Sequence, residues 1–79
     1  MDDFMKEDYI ADYKKLGLNI NYYRRSKGYS QMELAELADV EFSHISRVEL
    51  SKSAASLDLI FAIAKALEIP VQKLFEFRE

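Results

Sequence analysis

The residues able to recognise or react are concentrated in one block of the 79-residue chain. This block runs from Ser30 to Leu50 and reads SQMELAELADVEFSHISRVEL. Within it the polar Ser43, His44, Ser46 and Arg47 interleave with the apolar Val40, Ile45 and Val48. An arginine offers two parallel N–H groups that match O6 and N7 of guanine, a contact worth roughly 1–3 kcal/mol of base discrimination. A serine can donate to a base edge or to a phosphate. This is recognition chemistry and not bond-making chemistry. His44 is the sole histidine, and no ordered acid or nucleophile accompanies it, so it reads as a surface group near the bound molecule. Cysteine is absent, which removes disulfides, thiolate metal sites and thiol nucleophiles. With one histidine, clusters of His and Cys ligands go too. Carboxylates are plentiful but form no recognisable acid/base pair, and a chain this small leaves little room for a substrate pocket. Neither an enzyme nor a cofactor is expected.

Such side chains need short, rigid elements to aim them. Only Gly17, Gly28 and Pro70 interrupt the chain, a scarcity that favours helices throughout. Ile10, Tyr13, Leu16, Ile20 and Tyr23 recur at three- and four-residue steps, the spacing of one helical face. That periodicity predicts a first helix starting between residues 6 and 16 and ending near Lys27. Gly17 would cost about 1 kcal/mol inside it, which favours a start after Gly17. Gly28 supplies the stop. Ser30 followed by Glu33 forms a capping box for a second helix, ending near Asp39, a residue tolerant of left-handed backbone. A third helix covers Phe42 to Leu50, with Val40, Ile45 and Val48 inward. Ser56 caps a fourth, with Asp58 in its first turn and Leu57, Ile60, Ile63, Ala64 and Leu67 as core. Pro70 opens a fifth, short helix carrying Val71, Leu74 and Phe75. The expectation is an all-α, compact five-helix domain over residues 13–76. Residues 1–12 form an acidic segment or an extension of the first helix, and 77–79 form a tail.

Two short helices joined by a three- to four-residue turn make a helix-turn-helix unit. Three stretches, GYSQMELAELADV, SHISRVE and SLDLIFAIAKALEIPVQKLF, resemble the lambda-repressor-like, or Xre-type, helix-turn-helix family in order and spacing over about residues 16–76. The resemblance implies a DNA-binding regulator of transcription. It implies that Gln31 contacts a phosphate and braces the reading helix. Phe42, Ser43 and Arg47 fall at positions that face bases in the major groove, and Lys52 in a loop near the phosphates. It further implies that Glu49 pairs with an arginine on the first helix, here Arg24. The chain departs from the pattern at Asp39 and Ser51, where glycine is frequent, and at Ala55, where proline is common. It departs again at Glu41, where a serine or threonine usually caps the third helix. Phe42 is an unusual base reader, suited either to thymine methyls or to packing.

The formal net charge is −3, which at first sight disfavours nucleic acid. Residues 1–12 hold five acids against Lys6, a net of −4, so residues 13–79 carry +1. A near-neutral body can bind DNA if its basic groups share one face, because phosphate contacts act locally. No apolar run approaches the ~20 residues of a membrane span, and the acidic N-terminus is unlike a signal peptide. A cytoplasmic protein is therefore expected. Leu50, Leu59, Phe61 and Phe77 look surplus to the core and point to a homodimer through the C-terminal half. Two alternatives stay open. One is an antitoxin-type module with a protein partner. The other is an interaction domain without DNA binding, favoured by Glu41, Phe42 and the acidic total.

Overall fold

The computed structural model describes residues 9–52 and 54–77. Four α-helices and one 3-10 helix follow in order: α1 (Ile10–Ser26), α2 (Gln31–Ala38), α3 (Phe42–Glu49), α4 (Leu57–Leu67) and the 3-10 helix Val71–Phe75. Among the described residues the architecture is all-α. Leu16, Ile20, Leu34, Ala35, Ile45, Val48, Ile60, Ile63, Ala64, Leu67 and Leu74 form one buried core. α3 packs on α1 and α2, α4 packs on α2, and the 3-10 helix bridges α1 and α4.

α1 starts at Ile10, inside the expected range of residues 6–16, and runs unbroken through Gly17 despite that residue's helix cost. The reason is tertiary. A Cβ built on Gly17 would stand 2.6 Å from the Val48 carbonyl oxygen and 2.9 Å from that of Glu49. The end of α3 presses its backbone onto α1 there, and only glycine leaves room. The close crossing offsets the roughly 1 kcal/mol of helix propensity lost at that position. The helix ends as its sequence dictates, with Gly28 at φ +80° and the Tyr29 N–H donating to the Arg24 carbonyl at 3.1 Å.

The second and third helices are set by local chemistry. The Glu33 N–H donates to Ser30 Oγ at 3.0 Å, and the Ser30 N–H donates to Glu33 Oε1 at 2.7 Å, so both halves of the capping box are made. Asp39 adopts the left-handed region at φ 58°, and the Val40 N–H returns to the Ala35 carbonyl at 3.0 Å. This closes α2 and turns the chain into α3. Glu41 stands at the α3 N-cap without a side-chain hydrogen bond to the helix. Beyond α3, Ser51 takes φ 59° and donates from Oγ to the Tyr13 carbonyl at 3.1 Å. That bond anchors a residue in a conformation better suited to glycine.

The C-terminal part corrects several expectations. Ser56 caps α4 by accepting from the Leu59 N–H at 3.1 Å. Leu57, expected in the core, is 64% exposed as the first residue of α4, at the rim of an apolar hollow. Leu59 and Phe77, expected as surplus, pack against the core. The fifth helix is a single 3-10 segment that Pro70 precedes, and Phe75 stays exposed while Leu74 is buried. Val40 is half-buried against the core. The acidic residues 1–8 and the tail residues 78–79 lie outside the described residues.

Asn19 holds this end in place. It is buried on α1 and donates from Nδ2 to the Leu74 carbonyl at 2.9 Å and to the Glu76 carbonyl at 3.2 Å. The carbonyls at the end of a helix lack partners within it, and a 3-10 segment of five residues cannot supply them.

Candidate nucleic-acid interface

α3 has two distinct sides. Ile45 and Val48 turn inward to the core, while Ser43, His44 and Arg47 are exposed and Ser46 is half-buried. Phe42 is the first residue of the helix and keeps 47% of its surface in solvent. Lys52 lies exposed just beyond the helix, its N–H donating to the Arg47 carbonyl at 2.9 Å. Neither Arg47 nor Lys52 forms an ion pair with any described residue. The structure thus gathers Phe42, Ser43, His44, Ser46, Arg47 and Lys52 along one short segment.

Gln31 differs from these six. It is half-buried at the start of α2 and donates from Nε2 to Glu49 Oε1 at 2.9 Å. The same oxygen receives Asn21 Nδ2 at 3.0 Å and Arg24 Nη2 at 3.2 Å. Arg24 Nε reaches Glu49 Oε2 at 2.7 Å, and its Nη1 donates to the Tyr29 carbonyl at 2.7 Å. One carboxylate at the end of α3 is thereby tied to two side chains of α1 and one of α2. The Glu49 side chain is 3% exposed and that of Arg24 11%. Burial alone would raise the Glu49 pKa. Hydrogen bonds from Arg24, Asn21 and Gln31, with the Arg24 charge, outweigh that effect and hold the carboxyl below its ordinary 4.5. It is therefore a charged group at neutral pH, held in a fixed place. The Arg24–Glu49 clamp is the pair that the family resemblance implied, whereas the share taken by Asn21 was not foreseen. Its signal is spacing, since Asn21 and Arg24 stand three residues apart on one helical face.

A second feature lies away from α3. An apolar hollow of about 370 Å³ opens between the start of α1, the start of α4 and the C-terminal segment, lined by Tyr13, Leu57, Ile60, Phe75 and Phe77 with Asp12 at its edge. Among the described residues no group of three His, Cys, Asp or Glu side chains could hold a metal ion. No helix among them is long and apolar enough to cross a membrane.

The order of these elements has known counterparts. A family model described as Helix-turn-helix matches residues 20–74, which take in the C-terminal part of α1, all of α2, α3 and α4, and most of the 3-10 helix. The chain belongs to the helix-turn-helix family. Within this family it is similar to the HTH-type transcriptional regulator SinR of Bacillus subtilis, with 34% identity over 62 residues. That match takes in 77% of this chain and 56% of the relative, so the chain spans little more than half of that protein's length. Among solved structures it resembles the restriction-modification controller protein C.AhdI from Aeromonas hydrophila. The TM-score is 0.80 at 37% identity, over 82% of this chain and 98% of the other. It also resembles the N-terminal DNA binding domain of SinR from Bacillus subtilis, with a TM-score of 0.77 at 31% identity, over 84% and 97% of the two chains.

Proposed function

We propose that this chain is a sequence-specific double-stranded DNA-binding regulator of transcription, most simply a repressor, that reads the major groove with α3. The observation that carries this reading is the outer side of α3. Ser43, His44 and Arg47 are exposed there on a helix whose far end is locked by the buried Glu49 network. Rigid support favours direct readout, because less of the contact energy is then spent on ordering the helix. The similarity to the SinR DNA-binding domain supports the same reading.

In this reading Arg47 meets a guanine, and Phe42, Ser43, His44 and Ser46 face the neighbouring base edges. Lys52 approaches a phosphate. Gln31 has one amide hydrogen engaged by Glu49, and its second remains for a phosphate oxygen. Residues 13–76 are the binding domain. The protein acts where the DNA is, in the cytoplasm, as a homodimer that sets two α3 helices about 34–36 Å apart. Exposed Leu57, Phe61 and Phe75 in the C-terminal half support a second copy as the occupant of that side.

Fluorescence anisotropy tests the reading with duplex DNA from upstream of the chain's own gene, a scrambled duplex, two salt concentrations and Arg47→Ala. The expected result is tight, salt-sensitive binding to the native duplex, with selectivity reduced by the substitution. Equal, weak binding to both duplexes would sink the regulator reading. Light scattering at micromolar concentration should give a dimer, and a monomer there would reject a strong self-association.

A further inference from the structure

Phe42 is an apolar ring at the opening of a helix whose other exposed side chains are polar. It is half exposed and stands outside the core and its packed fringe, so folding gives no reason for it. Spacing places it beside the reading stripe. Phe42 and Ser46 are four residues apart, and Ser43 and Arg47 repeat that step one position on. Glu49, seven residues from Phe42, turns in towards Gln31 at the start of α2. Glu49 is also bound by Asn21 and Arg24 of α1, so Phe42 sits at the margin of the outward side, next to the packed helices. Its predecessor Glu41 is exposed, with a carboxylate that makes no hydrogen bond to the start of α3. A bare carboxylate next to a ring without polar atoms is unsuited to a phosphate. Base edges in the major groove carry one apolar group, the C5-methyl of thymine, and a phenyl ring is among the side chains that pack on it.

We propose that Phe42 is a specificity-determining residue that selects a thymine by its methyl group, beside the base contacted by Arg47. This rests on the DNA-reading role assigned above to α3. The hydroxyl and guanidinium groups of the stripe then read hydrogen-bonding atoms, and Phe42 reads shape and apolarity where they cannot.

The test separates a failure of this inference from a failure of that role. The intact chain is used to select duplexes from a random pool. The best duplex is then remade with single deoxyuridine-for-thymidine replacements, which remove one methyl and leave base pairing unchanged. Wild type, Phe42→Ala and Phe42→Leu are compared by anisotropy, with circular dichroism to confirm folding, which an exposed position should preserve. The expected result is one position per half-site at which uracil weakens wild type about fourfold, the worth of one buried methyl. The effect should vanish in Phe42→Ala and persist in Phe42→Leu. Uracil effects that are equal in wild type and Phe42→Ala at every position, or absent from both, would overturn the inference while DNA reading stands. A selection that enriches no duplex would overturn both.

Discussion

Removing the Glu49 carboxylate is the most demanding test of how the reading helix is held. In Glu49→Ala the Arg24 guanidinium, with a side chain 11% exposed, keeps its bond to the Tyr29 carbonyl but loses both bonds to the carboxylate. Asn21 and Gln31 lose their acceptor as well. Breaking a buried pair from one side costs about 3–5 kcal/mol. The surviving Tyr29 contact and the small remaining exposure of Arg24 put the expected loss near the lower end, about 3 kcal/mol. For a domain of this size each kcal/mol moves the melting temperature by about 4–8 °C, so the shift should be about 12–24 °C. Thermal unfolding followed by circular dichroism at pH 7 measures it. Glu49→Gln is the finer probe. It retains one acceptor oxygen but sets an N–H group against Arg24 Nε, and a hydrogen bond to a charged group contributes about 1.5–3 kcal/mol. Because the network lowers the Glu49 pKa in the folded state, its contribution is complete above the unfolded value of about 4.5 and disappears as pH falls through the lower folded value. The stability gap between wild type and Glu49→Gln should accordingly narrow below about pH 4.5. A melting temperature for Glu49→Ala within about 4 °C of wild type, the effect of less than 1 kcal/mol, would refute the claim that this carboxylate clamps three helices.

Three further substitutions probe the supports around the site. Asn19→Ala should cost about 1–3 kcal/mol, since the buried Leu74 carbonyl loses its side-chain donor; urea unfolding would register this as a lower midpoint with an unchanged slope. Gly17→Ala should destabilise, although alanine is the better helix former by about 1 kcal/mol, because its methyl would meet the Val48 carbonyl at 2.6 Å; a raised melting temperature would contradict the close crossing. Glu41→Ser should stabilise by about 1 kcal/mol by supplying the side-chain cap that α3 lacks. It should also tighten DNA binding by removing a carboxylate from the reading end, checked by melting and anisotropy on one sample.

The parts of the fold that were legible in the sequence are those written over three or four consecutive residues. Ser30 with Glu33, Ser56, Gly28 and Asp39 each fix a helix end through groups next to them in the chain. The structure makes each of these bonds or conformations without help from elsewhere. The parts that were not legible depend on what the chain meets after folding back. Gly17 looked like a break in α1 because its value lies in the approach of a backbone 31 and 32 residues further on. Asn19 drew no reading from the sequence, because its partners are 55 and 57 residues away. Its signal was faint but present, a polar side chain set between Leu16 and Ile20 on the apolar stripe. Leu57 erred in the opposite sense, since an apolar residue in a helical pattern reads as core whether or not a neighbour covers it.

The same distinction runs through the candidate site. The outward residues of α3 could be picked out from period alone, because Ile45 and Val48 fix which side is buried and the rest follow. What period cannot give is how tightly the helix is held, and readout depends on that. A serine or arginine on a loosely tethered helix would spend its contact energy on ordering the helix before any base is distinguished. Glu49 supplies a tether that reaches α1 and α2 together, at the end opposite Phe42 and Glu41. The opening turn of α3, uncapped and carrying a bare ring, is then the least supported part of the reading surface. There a contact with DNA would add order as well as selectivity. That is why substitutions at Glu41 and Phe42 should alter recognition more than stability, while those at Glu49 should do the reverse.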